Sequence, residues 1–206
     1  MLNIKFFDRD ATTVAKDLLG KVLKVKYKSV WLTASIIETE AYYLEDKASH
    51  ASLGYTEKRK ALFMPAGTIY MYYCRGQPTL NISVKGKGCA VLIKSGFPLA
   101  NEKILAIMQA LNPQKNQLPR SLEKLCAGQI LLCKSLGLTV KDWNQKQFDS
   151  KKFYIEDNGY KVEKILQTQR LGIPKGRDEH LPYRFIDAAK VEYCTKKPKQ
   201  YETFLF

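Results

Sequence analysis

Several features of other protein classes are missing from this sequence of 206 residues. No apolar run approaches the roughly 20 residues that span a membrane, and the amino terminus lacks the pattern of a cleaved signal. The five cysteines are an odd number with no Cys-x-x-Cys pair, and the two histidines, His50 and His180, stand far apart. We therefore expect a soluble protein of the cytoplasm, with no disulfide, no metal and no other cofactor.

Linkers, internal repeats and low-complexity segments are also missing from the sequence. The chain length suits one domain, which would bury roughly two-thirds of its unfolded surface. We therefore expect residues 1–206 to form a single domain.

Acidic residues are too few to balance the basic ones. Lysine and arginine number 34 against 20 aspartates and glutamates, and the net charge is +14. Such an excess favours a polyanionic partner, with nucleic acid ahead of an anionic membrane. The twelve tyrosines favour nucleic acid further, because aromatic faces among basic side chains can stack on unpaired bases. The alternative is a charge that serves only solubility.

Local patterns predict a mixed α/β chain without the regular β-α alternation of a doubly wound sheet. Asp10 is placed to cap a helix over 11–19, which Gly20 would end. Apolar segments predict strands at 22–27, 31–42, 67–73, 81–84 and 89–93, and a short turn at Lys28-Ser29 joins the first two into a hairpin.

Turn and helix signals complete this prediction. Gly76 and Pro78 mark a loop between two of the strands. Helical spacing predicts helices over 99–111 and 121–136, and Asn158-Gly159 predicts a hairpin over 153–162.

The segment Ile36-Ile37-Glu38-Thr39-Glu40-Ala41-Tyr42 is the most informative part of the chain. Side chains alternate along a strand, so Ile36, Glu38, Glu40 and Tyr42 are predicted to share one face. Carboxylates are rarely buried without a partner, and this face is therefore either solvated or part of a site. The two carboxylates would lie about 6.6–7 Å apart, close to the separation of acid and base in some glycoside hydrolases.

Other candidate residues have structural explanations when each is taken alone. Tyr70 and Tyr72 alternate on a predicted strand, where core packing explains them as well as base stacking does. His50 fits a structural imidazole, Lys94 fits a lysine at a strand end, and Asn81 fits a turn former.

Short motifs follow one another in a fixed order over nearly the whole chain. The most specific is Ile37-Glu-Thr-Glu40-Ala-Tyr42 followed by Ala48-Ser-His50. The others are Phe6-Phe7-Asp8, Leu18-Leu19-Gly20-Lys-Val-Leu23, Phe63-Met64, Gly67-Thr-Ile-Tyr70-Met-Tyr72, Leu80-Asn81-Ile82, Ala90-Val-Leu-Ile-Lys94, Leu125-Cys126-Ala-Gly128, Arg170-Leu-Gly172-Ile173 and Pro182-Tyr-Arg184-Phe185. In this order they resemble the alkyladenine (3-methyladenine) DNA glycosylase family of the mammalian type.

The resemblance implies one compact domain of the α+β type, with a central curved, mainly antiparallel sheet surrounded by helices. It implies a monomeric base-excision-repair enzyme that flips alkylated or deaminated purines out of double-stranded DNA and hydrolyses the N-glycosidic bond. The implied lesions are 3-methyladenine, 7-methylguanine, hypoxanthine and ethenoadenine. Extraction of a base costs a few kcal/mol and is easiest for a damaged one. No membrane, metal or cofactor takes part.

The resemblance also implies a set of residues around the flipped base. Tyr42 and Tyr72 match residues that stack on it, and the backbone of His50 matches a hydrogen-bond donor to its edge. Thr56 matches a position in the pocket wall. Asn81 matches the residue that leaves little room for the exocyclic amine of normal guanine.

In the same way, Glu40 matches the general base that deprotonates the attacking water. Lys94 falls where the family usually has an arginine, and lysine keeps the charge but loses the planar fork. A backbone carbonyl near Asp187 is expected to complete the water site, and Glu38 is expected to support it. Because the family attacks with water rather than an amine, no strand-cleaving lyase activity is expected.

The clearest departure from the family lies after Tyr72. The family continues with a tyrosine followed by glycine, and that tyrosine wedges into the duplex, whereas this chain has Tyr73-Cys74-Arg75-Gly76. Tyr73, Cys74 and Arg75 are therefore all candidates for the wedge or for contacts to phosphate. Arg59 is a further candidate for DNA binding.

Two other functions compete with this prediction. A carbohydrate-acting glycosidase could use Glu38 and Glu40 as acid and base, but the excess positive charge would then have no role. A catalytically silent protein that recognises distorted DNA or RNA would account for the charge and the tyrosines without chemistry.

Overall fold

One large antiparallel sheet forms the centre of the structure, a computed structural model that describes residues 1–205. Within these residues every neighbouring pair of strands runs antiparallel. The strands are β1 (Val22–Tyr27), β2 (Val30–Tyr42), β3 (Ile69–Cys74), β4 (Gln77–Ser83), β5 (Ala90–Pro98), β6 (Phe153–Glu156), β7 (Lys164–Thr168), β8 (Arg184–Asp187) and β9 (Glu202–Leu205).

The long strand β2 joins the parts of this sheet. The strand order is β3-β4-β5-β2-β8-β7-β9, and β1 branches from β2 to pair with β6. One edge of β2 pairs with β5, while the first part of its other edge pairs with β1 and the later part with β8. Residues in the later part of β2 therefore lie between β5 and β8.

Short helices cover the sheet. The α-helices within residues 1–205 are α1 (Ile4–Phe7), α2 (Ala11–Asp17), α3 (Glu102–Leu111), α4 (Leu122–Leu125), α5 (Gln129–Ser135) and α6 (Val140–Trp143). In addition, 3-10 helices span His50–Leu53, Glu57–Phe63 and Ala188–Tyr193. No helix in the described part of the chain is long and apolar enough to cross a membrane.

The predicted fold class, a mixed α/β domain with an antiparallel sheet, is confirmed, and the first elements match the prediction closely. Asp10 caps α2 by accepting from the backbone N–H groups of Thr12 and Thr13. Gly20 follows in the left-handed region with φ +82°. β1 and β2 form the expected hairpin, and Lys28 takes φ +52° in its turn.

Three other predictions of secondary structure are wrong. The helix expected over 121–136 is two helices, because Gly128 between them has φ +121°. The hairpin expected over 153–162 does not form. Its first part is the strand β6, which pairs with β1, and Asp157, just after β6, binds Lys21 at 2.7 Å. Pro78 lies in β4 rather than in a loop. Proline is tolerated there because β3 pairs with this part of β4 and β5 does not.

Two hydrophobic clusters position the candidate site. The larger cluster fills the space between the sheet and α2, α3 and α5. A smaller one joins β3 and β5 to the 3-10 helices His50–Leu53 and Glu57–Phe63, with Ala51, Leu62 and Tyr70 at its centre. The second cluster fixes the start of His50–Leu53 against the end of the sheet.

Candidate active site

A β-bulge at the centre of the sheet places Lys94. The pairing of β5 with β2 skips Lys94, because its neighbours Ile93 and Ser95 pair with consecutive residues of β2. Bulges re-aim side chains and are common beside active sites. Lys94 is 7% exposed, and its Nζ lies 3.2 Å from Glu40 Oε1. The prediction that Lys94 ends its strand is wrong, since β5 continues for four more residues.

Glu40 is the centre of this group and is fully buried. Its Oε1 accepts from the backbone N–H of Leu171 at 3.0 Å and contacts Lys94, and its Oε2 accepts from the Tyr42 hydroxyl at 2.7 Å. A carboxylate offers about four acceptor positions. The three protein donors therefore leave one position for another proton donor such as water.

Tyr42 joins this carboxylate to the space in front of it. Burial, and then the neighbouring Glu40 carboxylate, raise the pKa of Tyr42 well above its usual value. The phenol therefore stays protonated and donates its hydrogen bond throughout the neutral pH range.

A cavity of about 290 Å³ opens beside Glu40. The three partners of Glu40, which are Tyr42, Lys94 and Leu171, belong to its lining. Its other walls come from β3, β4 and β5, from the 3-10 helix His50–Leu53 and from residues 171–174. Aromatic rings at a cavity that ends at a buried carboxylate suit a flat, polar ligand.

His50, Tyr70 and Tyr72 form an aromatic wall of this cavity. The His50 ring lies 4.3 Å from that of Tyr72, and its Nδ1 is 3.0 Å from the Tyr70 hydroxyl. Burial, and then Arg59 and Arg177, lower the pKa of His50 below its usual 6.5, so the imidazole is neutral at pH 7. Burial raises the pKa of Tyr72 to about 12.

The backbone N–H of His50 begins a 3-10 helix, where such groups have no partner within the helix. Within residues 1–205 this N–H has no hydrogen-bond acceptor. Asn81 lies on β4 at the same cavity, 6% exposed, and its Nδ2 donates to the Tyr70 carbonyl at 3.2 Å. Its amide orientation is therefore fixed by the neighbouring strand.

Comparisons with known proteins agree with this geometry. Residues 5–191 match the family model described as "Methylpurine-DNA glycosylase (MPG)". The chain belongs to this family. It is a DNA glycosylase, a hydrolase of N-glycosidic bonds whose substrate is DNA.

Curated relatives carry the same activity in their name. Over 197 residues the chain is 56% identical to a protein of Pseudomonas aeruginosa and 57% identical to one of Pseudomonas fluorescens. These alignments cover 94% of this chain and 82% and 85% of the relatives. A protein of Clostridium beijerinckii is 35% identical over 205 residues, covering 96% of this chain and 100% of the relative. Each is named "Putative 3-methyladenine DNA glycosylase".

Thr56 and Arg59 lie outside the cavity of the glycosylase. Both line an adjoining open groove, which shares His50, Tyr70 and Tyr72 with the cavity. Thr56 is exposed and precedes the 3-10 helix Glu57–Phe63. The Nε of Arg59 is buried with no hydrogen-bond partner among residues 1–205. Thr56 is thus a groove residue in this structure rather than part of the cavity wall.

The three candidates for the wedge lie at the hairpin between β3 and β4. Arg75 and Gly76 form its two-residue turn, with φ +51° and +74° as in a type I′ turn. Cys74 lines the cavity with Tyr72, as expected from strand alternation. Tyr73 points to the other face of the strand and is 60% exposed.

Glu38 sits in a separate buried cluster. Its Oε1 accepts from Arg184 Nε at 2.6 Å, and its Oε2 accepts from the Ser95 hydroxyl at 2.5 Å and the Thr195 N–H at 2.8 Å. Within the described chain, none of these three partners of Glu38 lines the cavity, whereas all three partners of Glu40 do. Ile36, predicted to share its face, instead packs in the main core, because the ladder shifts between the two residues.

Asp187 does not lie beside Glu40, and its expected role in a water site is not supported. The β2–β8 register puts Glu40 opposite Arg184, so Asp187 lies three residues further along β8. Asp187 accepts from the Tyr160 hydroxyl at 3.1 Å. Leu171 occupies the place beside Glu40 instead, and its motif Arg170-Leu-Gly172-Ile173 was the signal in the sequence that could have found it.

Proposed function

We propose that this glycosylase flips alkylated or deaminated purines out of duplex DNA and hydrolyses their N-glycosidic bond with a water that Glu40 activates. The observation that carries this proposal is the fully buried Glu40 carboxylate beside an aromatic cavity of about 290 Å³. Protein donors occupy most of its acceptor positions, so one direction remains for water. A positioned carboxylate of this kind suits a general base.

In the proposed reaction, the oxygen of water attacks the anomeric carbon of the sugar. The bond from this carbon to the purine nitrogen breaks, and its electron pair leaves with the base. A cationic alkylated purine becomes neutral in this step, whereas a neutral purine takes up a proton from solvent. The proton of the water passes to Glu40, whose negative charge also stabilises the oxocarbenium-like transition state. Lys94, at 3.2 Å from Glu40 Oε1, would hold the carboxylate in position.

The proposed substrates are 3-methyladenine, 7-methylguanine, hypoxanthine and ethenoadenine. The rings of Tyr42 and Tyr72 would stack on the flipped base, and the unpartnered N–H of His50 would donate to its edge. Asn81, held by the Tyr70 carbonyl, would crowd the exocyclic amine of normal guanine. Damaged purines unstack more readily than normal ones, which adds to selectivity.

Base release from defined duplexes tests this function. Duplexes with a single hypoxanthine, ethenoadenine or 3-methyladenine are incubated with excess protein, and the free base is measured. Release that Glu40→Gln abolishes while DNA binding remains supports the proposal. Binding without release by the unmodified protein would instead identify a silent DNA-binding protein.

We further propose that the enzyme is monofunctional. The Lys94 amine is held against Glu40, and the reaction uses water as the nucleophile. Borohydride should therefore trap no covalent enzyme–DNA adduct, and a trapped adduct that disappears in Lys94→Gln would reject this part of the proposal.

Arg75 is the proposed wedge, because it lies at the tip of the hairpin whose strand β3 lines the cavity. A planar guanidinium can stack between base pairs and also bind phosphate. Arg75→Ala should lower the rate of base release at saturating enzyme more than Tyr73→Ala, a matched change at an exposed neighbour whose side chain points away from the cavity. The reverse order would assign the wedge to Tyr73.

A further inference from the structure

Arg170 is a buried cation that the reaction proposed above does not use. Its side chain is 0% exposed and that of Asp46, its partner, is 2% exposed. Nη1 donates to Asp46 Oδ2 and, at 3.1 Å, to the Ala41 carbonyl. Nη2 donates to Asp46 Oδ1 at 3.0 Å and to the Asp178 carbonyl at 3.3 Å. One guanidinium thus joins the end of β2, the following loop and the segment before β8.

The same guanidinium also contacts Tyr42, the partner of Glu40. The central carbon of Arg170 lies 4.6 Å from the centre of the Tyr42 ring and 5.5 Å from that of Tyr183. Such contacts between a cation and an aromatic face are favourable and are strongest where water is excluded. Arg170 therefore restrains the ring whose hydroxyl donates to Glu40 Oε2 at 2.7 Å.

The backbone connects Arg170 to Glu40 by a second route. Leu171, the next residue, donates its N–H to Glu40 Oε1 at 3.0 Å. Residues 169–183 contain no helix and no strand, so no regular backbone ladder fixes Leu171 in place. The contacts of Arg170 with Asp46, Ala41 and Asp178 anchor this segment.

We propose that Arg170 is a positioning residue for the general base, which it orients through Tyr42 on one oxygen and through the Leu171 N–H on the other. This inference rests on the proposed role of Glu40. The planar fork of arginine is required, because lysine cannot bind both oxygens of Asp46 in parallel while also contacting the face of the Tyr42 ring. Arg170 does not line the cavity, and it acts without touching the base.

Arg170→Lys tests the proposal, because it keeps the charge and removes the fork. The rate of base release at saturating enzyme should fall by about 100-fold, which is the effect of a small misplacement of a reacting group. The dissociation constant for the lesion duplex should change little, since no contact to the base is lost. An equal loss in binding, or an unchanged rate, would overturn the proposal.

Arg184→Lys is the matched control, because Arg184 is an equally buried arginine paired with a carboxylate, Glu38. Both variants should lower the melting temperature, and the assay is run below both transitions. Arg170→Lys should then lose far more rate than Arg184→Lys, and equal losses would overturn the proposal. If Arg170→Lys does not fold, Asp46→Asn replaces it, because this change removes the carboxylate that anchors Arg170. The same loss of rate is expected.

A spectroscopic measurement separates this inference from the proposed function. In the free protein, the amide signal of Leu171 in a nitrogen–proton NMR spectrum should shift in Asp46→Asn, which weakens the anchor of Arg170 and leaves residue 170 itself unchanged, and should stay unchanged in Arg184→Lys. An unchanged Leu171 signal in Asp46→Asn refutes positioning whatever the activity. A shifted Leu171 signal together with full activity of Glu40→Gln would reject Glu40 as the base. The effect of Arg170 on Leu171 would still be established.

Discussion

Glu38 and Glu40 are two residues apart on β2, and both are fully buried beside a cation. The donors to Glu38 are Arg184, Ser95 and Thr195, which join β8, β5 and the segment after the last 3-10 helix into a closed cluster. The donors to Glu40 line a cavity. The comparison teaches that burial and a charged partner are common to both sites, and that access from a cavity distinguishes them.

The two carboxylates have different cations as partners, Arg184 beside Glu38 and Lys94 beside Glu40. Arg184 binds Glu38 and also donates to the carbonyl of Lys196, as expected of a buried residue with several donors. Lys94 offers Glu40 a single ammonium group that also lines the cavity. Glu38 is therefore enclosed by protein donors, whereas the donors to Glu40 border a cavity.

The largest expected difference between the two carboxylates is in catalysis. Glu40→Gln should lower the rate of base release by about 10²–10⁴-fold, the usual contribution of a general base. Glu38→Gln should lower it much less. Both rates are measured with excess enzyme on a hypoxanthine duplex. A larger loss in Glu38→Gln would exchange the roles of the two residues.

Stability should show the opposite order. Glu38→Gln leaves the buried Arg184 without its counter-charge, which costs about 3–5 kcal/mol in the free energy of unfolding. Glu40→Gln should cost less, because Lys94 is beside a cavity that water can enter. Denaturant titration of both variants measures the difference, and equal losses would contradict the distinction.

Lys94 should have an intermediate effect on rate. Lys94→Gln removes the cation beside Glu40 and should slow base release by about 10- to 100-fold, as loss of orientation does. Lys94→Arg supplies the fork usual in the family and should retain more activity than Lys94→Gln. The test is the order of the two single-turnover rates, and a faster Lys94→Gln would show that the cation is not needed.

The smallest expected effect is a dependence of stability on pH from His50, which belongs to the site at Glu40. Its folded pKa is lowered from 6.5, so below about that pH the unfolded chain binds a proton that the folded chain does not. The free energy of unfolding should therefore fall as pH drops from 6.5 until the folded imidazole also titrates. His50→Gln should show a smaller fall over this range, and an identical pH dependence in both proteins would contradict it.

Local features of the fold could be predicted from the sequence. The Asp10 cap and the Lys28 turn depend on neighbouring residues, and the structure agrees with these predictions. The alternation predicted along β2 does not extend to Ile36, because the ladder shifts between Ile36 and Glu38. The broken helix at Gly128 was missed, since apolar spacing continues across the break while the backbone does not. Pro78 was assigned to a loop because a sequence does not tell which half of a strand has a free edge.

The site was only partly predictable for the same reason. Tyr42, Tyr72, His50, Asn81 and Lys94 do meet at one cavity. Thr56 lies in the adjoining groove, and Leu171 rather than Asp187 lies beside Glu40. Leu171 is 131 residues from Glu40 in the sequence, and although the family motif around it marks the segment, the motif does not report which residue the segment contacts.

By itself, the sequence determined the family, the types of side chain available and the strand on which two carboxylates lie close together. Only the tertiary structure decided which carboxylate has partners that line a cavity and which is enclosed. The physical reason is that alternation along a strand is a local property, whereas solvent access and hydrogen-bond donors come from distant segments. Arg184, 146 residues away, encloses Glu38, while the segment that follows Arg170 leaves Glu40 beside an open cavity.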